Sequence, residues 1–432
     1  MKETGKISYF AAVLMSINIM VGAGIYYSVS PLTQAAGAAS FLGWPLVGLL
    51  LFPIIWGVAK TSQLFPGEGG FYHYCSSGIN PTAGFMAHWG YLIGFISAAA
   101  SLASVLRGGL VQNMGLSFIG EHPILFNVAV VLFYSSLQLF PLEKISKIQS
   151  IATVIKISPL FAVIALIVFY FNPELRFDLS RVSSLSLMIP TVLFGFWGFE
   201  SCCSIGGYLK GGPQKVSSVI LVGFFATTIL YLLFHLGVLY IMGADNLAAY
   251  GAASFPKFLG LGPMWESLLQ ASILGAILFC WANSILGMSI GNIANIYTLA
   301  KRGVIVGSAP LAKLNRNQRP TLSVEVHGIA LFVLMTFISD TEILFALTNL
   351  GVLVTLFLTL LAAFLTYIKQ KQHLHTAFIG VGFISCAVLG YYSWTKLPNL
   401  YYTLPIIGGM TIGLIQFKIR QRASLLTLAP NR

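Results

Sequence analysis

The amino-acid sequence predicts an all-α membrane protein of twelve transmembrane helices, built as a five-plus-five inverted repeat in which helices 1 and 6 are discontinuous. Three observations lead to that expectation. Of 432 residues, 57% are apolar, 13% aromatic and only 8% charged, against about 25% charged residues in a soluble globular domain, so a water-soluble enzyme is excluded first. A helix that crosses a bilayer needs about 20 predominantly apolar residues, and the chain offers twelve such stretches with short polar connections between them. Glycines cluster in the first and sixth stretches, at corresponding positions of two five-helix halves.

Apolar stretches bounded by charge or by Gly/Pro clusters place the helices at 9–30, 41–59, 82–106, 124–140, 151–171, 186–205, 216–242, 268–300, 322–338, 343–367, 376–394 and 401–417. The first is too long for a signal-peptide core and no A-x-A cleavage pattern follows it, so it reads as a retained helix. Residues 1–172 then form the first repeat, 173–368 the second, and 369–432 the last two helices with a cytoplasmic C-terminus.

The 24 Lys and Arg against 12 Asp and Glu leave a net charge of +12. In a soluble chain that balance points to nucleic acid; in a polytopic one it follows from the retention of basic residues on cytoplasmic loops, and no nucleic-acid partner is expected. With a cytoplasmic N-terminus, the outer segments hold only Arg176, Arg181, Lys257 and Lys396, and Arg107 and Lys156 fall within helices. The other basic residues, among them Lys301, Arg302, Lys313, Arg316 and Arg319 between helices eight and nine, lie on the inner side. Both termini are therefore expected in the cytoplasm, the protein being integral to a bacterial inner (plasma) membrane.

Signals of enzyme chemistry fail on context. Gly287-Met288-Ser289-Ile290-Gly291 fits the G-x-S-x-G pattern, but that nucleophile needs a strand, a sharp turn and a helix, and here it lies inside an apolar helix. The seven histidines are scattered, and of these only His373 and His375 are close, two residues apart, a poor zinc pair without thiolates. Cys75, Cys202, Cys203, Cys280 and Cys386 show no CxxC spacing and read as small buried hydrophobes. No phosphate-binding G-x-x-x-x-G-K-[ST] run is present, so neither a metal nor a cofactor nor a nucleotide-hydrolysing engine is expected.

The glycine clusters carry the functional reading. Helix one contains Gly22-Ala23-Gly24, and helix six contains Gly195-Phe196-Trp197-Gly198-Phe199-Glu200 followed by Gly206-Gly207. Each mid-helix glycine costs about 1 kcal/mol of helix propensity against alanine, so clusters at mid-membrane depth favour unwinding. Placed alike in two halves, they point to an inverted repeat with a binding site at the midplane. Close packing of helices through small residues is the other reading. It suits Gly90 with Gly94 and Gly287 with Gly291, whereas the two-residue spacing of Gly22 and Gly24 does not fall on one helical face.

Several runs resemble the amino acid, polyamine and organocation transporter superfamily. Asn18-Ile19-Met20-Val21-Gly22-Ala23-Gly24-Ile25-Tyr26 is similar to its first-helix signature. Phe65-Pro66-Gly67-Glu68-Gly69-Gly70-Phe71-Tyr72-His73-Tyr74 resembles its P-x-x-G-G-x-Y run after helix two, with Gly84-Phe85 opening helix three. Gly195 to Glu200 looks like its G-F-E element, followed by Lys210-Gly211-Gly212-Pro213-Gln214. The resemblance spans about the first 320 residues and the remainder by hydropathy. The loop Leu299-Ala300-Lys301-Arg302-Gly303-Val304 departs from the family pattern, lacking its acidic residue and proline, and Lys215-Val216-Ser217-Ser218 lacks its second proline.

The resemblance implies a carrier of amino acids or their decarboxylated amines that works by alternating access. Substrate-binding backbone is expected around Gly22, Ala23, Gly24 and Ile25, where freed N–H groups at a half-helix N-terminus hold a carboxylate. Backbone around Phe194, Gly195 and Trp197 is expected to take the amine. Phe194 and Trp197 are also candidate gates, closing over the substrate or stacking on its cation, and packing is the competing role for both rings. By similarity to the family, Tyr91 and Met288 fall near the transport path.

Lys156 is an ionisable group inside a span, which costs about 2.5–3.5 kcal/mol even on a lenient insertion scale. Its context resembles the fifth-helix lysine of sodium-independent family members, where the ammonium takes the place of a sodium ion. A fixed cation there repels sodium, and burial, which disfavours the charged form of a lysine, allows coupling to protons. Snorkelling to the cytoplasmic surface is the alternative. Glu200 has two open roles, capping of a new helix after the break and proton handling or gating through Tyr91. Arg107 either meets a substrate carboxylate or snorkels outward. The leading expectation is thus a sodium-independent, proton-coupled secondary transporter. An exchanger of a basic amino acid for its amine and a non-transporting membrane sensor are the alternatives.

Overall fold

A computed structural model describes residues 8–67, 70–170, 178–200, 202–203, 209–210 and 212–428. Apart from isolated bridges such as Leu314 to Pro320, their regular structure is helical. The first expected helix divides in two. α1 (Tyr9–Met20) starts at Ser8, whose hydroxyl accepts from the Ala11 amide, and stops where Val21 and Gly22 leave helical geometry (φ/ψ −68°/94° and −143°/−144°). α2 (Ala23–Ala36) then resumes.

A short 3-10 turn leads to α3 (Gly43–Leu64), and α4 (Gly70–Gly78) forms within the glycine-rich run that follows. α5 (Pro81–Met114) begins at Asn80, whose side chain accepts from the Ala83 amide at 2.9 Å. Pro81 follows that cap because the first helical position needs no N–H. Next come α6 (Ser117–Glu121), α7 (Pro123–Gln138) and α8 (Leu142–Tyr170). After a 3-10 segment at Val182–Met188, α9 (Ile189–Phe194) ends before the second glycine cluster.

The chain continues through α10 (Val216–Met242), α11 (Ala244–Tyr250), α12 (Pro263–Lys301) and α13 (Ser308–Leu311). It closes with α14 (Thr321–Phe337), α15 (Thr341–Lys369), α16 (His373–Trp394) and α17 (Leu404–Leu428). α10 has the bounds expected from sequence, whereas α5, α8 and α12 extend beyond them by a turn or more. The sixth expected stretch is helical only as far as Phe194 before it breaks up.

Among the described residues, 8 helical stretches are long and apolar enough to cross a membrane, and Tyr9–Met20, Pro123–Gln138, Val182–Phe194 and Thr321–Phe337 are shorter apolar helical segments. The outer faces match that medium: Val168 and Phe169 on α8 are 81% and 82% exposed, which suits lipid and not water. The chain is an integral membrane protein.

The long helices α5 and α15 pack extensively against each other, and small residues set how close they come. A Cβ on Gly351 would lie 2.7 Å from Gly94 Cα, and one on Gly94 3.0 Å from Thr348 O. The packing expected of Gly90 and Gly94 is therefore made, against α15. The same expectation for Gly287 and Gly291 needs correction. A Cβ on Gly287 would first meet the end of the flexible Gln149 side chain, and Gly291 faces open space, so these two glycines do not form a tight helix seam.

Candidate functional site

α1 ends with carbonyls that have no helical partner and α2 starts with free amides. No side chain caps α2 at Gly22. The end of α9 packs directly onto this interruption. A Cβ added to Gly24 would sit 2.3 Å from Gly195 Cα, and one on Gly198, at φ +127°, would sit 2.6 Å from Ile19 Cγ2 and 3.0 Å from Met20 N. Gly195 thus touches the start of α2 while Gly198 touches the end of α1. Both close approaches require the absence of a side chain, and Gly198 also takes a left-handed φ that glycine adopts without steric cost.

Hydrogen bonds tie the two interruptions together. The Tyr231 hydroxyl on α10 lies 2.6 Å from Met20 O and 2.9 Å from Gly195 O, one donor serving both loose ends. Beside it, Trp44 on α3 donates its indole N–H to His235 Nδ1 at 3.1 Å. The other His235 ring nitrogen lies 3.2 Å from Thr33 Oγ1 and 3.0 Å from Ser40 Oγ. The Trp44 ring lies 4.7 Å from that of Tyr231 and within 3.2 Å of the Cβ position on Gly195. These polar groups are fully buried, and in an apolar interior each needs such a partner.

Lys156 does not reach a surface. It is 2% exposed, its ammonium donates to the Asn18 carbonyl in the last turn of α1, and its own carbonyl accepts from the Tyr26 hydroxyl at 2.7 Å. α8 is thereby bound to both sides of the interruption, through Asn18 before it and Tyr26 after it. The side chain is directed inward and not toward a surface as snorkelling would have it, and the Asn18 carbonyl at the end of α1 solvates its charge inside the protein.

Glu200 is fully buried. Its Oε2 accepts from the Gly198 amide at 2.9 Å and its Oε1 from the Tyr91 hydroxyl at 3.3 Å. One carboxylate thus supports the bent backbone and reaches α5. The backbone beyond it is described only at 202–203, 209–210 and from 212 onward, so Gly206 and Gly207, and any helix that Glu200 caps, lie outside the described residues, as do Glu68 and Gly69 of the earlier run and Arg176. Tyr91 is also stacked against Phe95, centroids 4.2 Å apart, and meets Phe71 of α4 at a tilt, 5.3 Å away.

Phe194 and Trp197 are buried beside the second interruption. Phe194 stacks on Phe345 of α15 at 4.0 Å, and Phe345 also meets Tyr27 of α2 at 5.4 Å. The Trp197 indole donates to Asn349 Oδ1 at 2.6 Å, while the Asn349 amide donates to Pro190 O at 2.9 Å. Met288 is partly buried on α12, but the α12 group that faces Gly22 is Ser284, one turn earlier, with Oγ 3.3 Å from the Cβ position.

The sequence reading did not single out Tyr231, Trp44, His235, Asn349 or Ser284. A usable signal existed for Tyr231 and His235, two polar groups four residues apart inside an apolar helix. Asn349 sits likewise in an apolar stretch. The loop after α12, which departs from the family pattern, forms contacts of its own. The Arg302 guanidinium lies 4.5 Å from the Tyr72 ring centroid, and Arg420 Nε donates to Gly303 O at 3.0 Å. Burial and the nearby Arg302 charge hold the His73 imidazole below its ordinary pKa.

Comparison with known proteins agrees with this architecture. The family described as "Amino acid permease" matches residues 7–405. The chain is 24% identical over 393 residues to an arginine/agmatine antiporter of Chlamydia pneumoniae, covering 86% of this chain and 80% of that protein. It is 26% identical over 353 residues to an arginine/agmatine antiporter of Chlamydia caviae, covering 75% and 70%. It is 23% identical over 261 residues to the glutamate/serine transporter AimA of Bacillus subtilis, covering 55% and 48%. With its apolar spans and a family match over nearly its whole length, the chain belongs to the amino acid permease family, whose members are membrane transporters and not enzymes.

Proposed function

We propose that this protein is a secondary active amino acid transporter working by alternating access, sodium-independent and proton-coupled. The observation that carries the reading is the contact between two interrupted helices, with Gly24 against Gly195 and Gly198 against Met20. The uncapped amides of α2 at Gly22, Ala23, Gly24 and Ile25 are suited to a carboxylate. Carbonyls around Phe194, Gly195 and Trp197 are suited to an ammonium, so a zwitterion complements both at once. In this reading residues 1–172 and 173–368 are the inverted repeats, and the halves part and close about these junctions.

Lys156 supports independence from sodium. Its ammonium occupies the Asn18 carbonyl, and a fixed cation there repels a second one. Glu200, bonded to Tyr91 and Gly198, is the acidic group placed to exchange a proton beside the second interruption.

A second reading, exchange of a basic amino acid for its decarboxylated amine, is favoured by the names of the two chlamydial relatives, both arginine/agmatine antiporters. Proteoliposome uptake against a panel of labelled amino acids and polyamines separates the readings. Accumulation driven by a pH gradient supports proton-coupled symport, and accumulation that requires unlabelled substrate inside supports exchange. Absence of flux for every panel member overturns both and leaves a sensor that passes nothing.

A further inference from the structure

Two turns before the end of α5, Arg107 faces a cavity of about 540 Å³ walled by α5, α6, α7 and the end of α14. α7 and α14 are tightly packed at Gly328, where a Cβ would lie 2.8 Å from Ser135 Oγ. The cup lies further along the pair, at Asn127 of α7 and Thr336 of α14. Its polar lining is rich in donors: the Arg107 guanidinium, the amides of Gln112 and Asn127, and the hydroxyls of Thr336 and Ser339.

Among the described residues, no carboxylate lines the cup. Asn127 is only 2% exposed and donates one amide N–H to Thr336 Oγ1 at 3.3 Å, leaving its second N–H and the Thr336 hydroxyl proton to donate elsewhere. Among the described residues, nothing pairs with the Arg107 guanidinium. The acidic groups next along the chain are otherwise placed. Asp340 accepts from the amides of Glu342 and Ile343 as the cap of α15, and Glu121 is exposed and outside the lining.

A partly buried cation among unused donors is an unsatisfied arrangement, and the planar fork of a guanidinium matches two oxygens of one anion. We propose that this cup binds an oxyanion, and that its source is the phosphate of an anionic lipid headgroup. The two helices that wall the cup on this side carry exposed apolar side chains: Ile124 of the lining is 59% exposed, Phe118 on α6 58% and Leu116 just before it 43%, and Leu132 and Phe133 further along α7 are exposed as well. Such a surface seats acyl chains below a headgroup, whereas a free carboxylate or phosphate makes no use of it.

The test is thermal unfolding of the full chain in a non-ionic detergent, which reads binding without requiring transport. Phosphatidylglycerol, sodium phosphate and sodium acetate are the probes, and wild type is compared with Arg107→Gln and Ser339→Asp. Ser339 is exposed, so its substitution places a repelling charge in the cup without disturbing the core and serves even where Arg107→Gln does not fold. The expected result is a midpoint raised by several degrees by phosphatidylglycerol in wild type and by less than half as much in a variant. A rise produced equally by phosphate or acetate, and lost in the variants, keeps the oxyanion site but assigns it to solutes. Equal responses of wild type and variants to every probe, or no response at all, overturn the proposal.

Discussion

Gly195 Cα occupies the space that a side chain on Gly24 would need, 2.3 Å from the Cβ position. Both atoms belong to backbone, so no flexible side chain relieves the overlap. Even Gly24→Ala is expected to force the two interruptions apart and lower transport at least tenfold, and Gly24→Leu to abolish substrate binding. Counterflow and equilibrium binding check this. Wild-type affinity in the leucine variant means that the backbone there does not touch substrate.

Tyr231 holds both loose ends with one hydroxyl. Tyr231→Phe keeps the ring packing and leaves the Met20 and Gly195 carbonyls without that donor. An orphaned buried acceptor costs about 1–3 kcal/mol, so the variant is expected to melt several degrees lower and to transport more slowly. An unchanged melting point and rate would show that the bridge does not hold in the working protein.

Lys156→Met removes the ammonium from the Asn18 carbonyl while keeping an unbranched apolar stem. Uptake driven by a pH gradient is expected to fall, with exchange in the absence of a gradient less affected. Pairing uptake at several external pH values with a sodium titration checks both halves of the idea. A wild-type pH profile removes Lys156 from coupling.

The two roles proposed for Glu200 are separable by substitution. Glu200→Gln retains a side-chain oxygen for the Gly198 amide but has no exchangeable carboxyl proton, whereas Glu200→Ala loses both. If capping is all that Glu200 does, glutamine is near wild type and alanine loses about 0.5–2 kcal/mol of stability. The proton-handling reading expects glutamine to abolish the response to a pH gradient with its melting point preserved. The two outcomes are read from uptake and thermal unfolding of the same preparations.

Much of the helical layout is legible in the chain because membrane depth imposes a minimum apolar length, as at Val216–Met242. The interruption at Val21–Gly22 falls inside the glycine cluster for an equally local reason, the cost of glycine to a helix. Helix ends are read less well. α5 continues past Arg107 to Met114, because helical geometry outlasts the apolar run once neighbours and water satisfy the side chains. The packing expected at Gly291 fails because periodicity names a face but not what stands opposite it.

Composition, span length and glycine placement, read without coordinates, established a helical membrane protein with weak points in its first and sixth apolar stretches. These are properties of a segment and its solvent, so they need no knowledge of neighbours. Only the tertiary structure decided that Gly24 meets Gly195, that Lys156 turns inward to Asn18, and that Tyr231 and Ser284 adjoin the first interruption. Those contacts join residues more than a hundred positions apart, and their geometry comes from how helices cross, which no local pattern encodes.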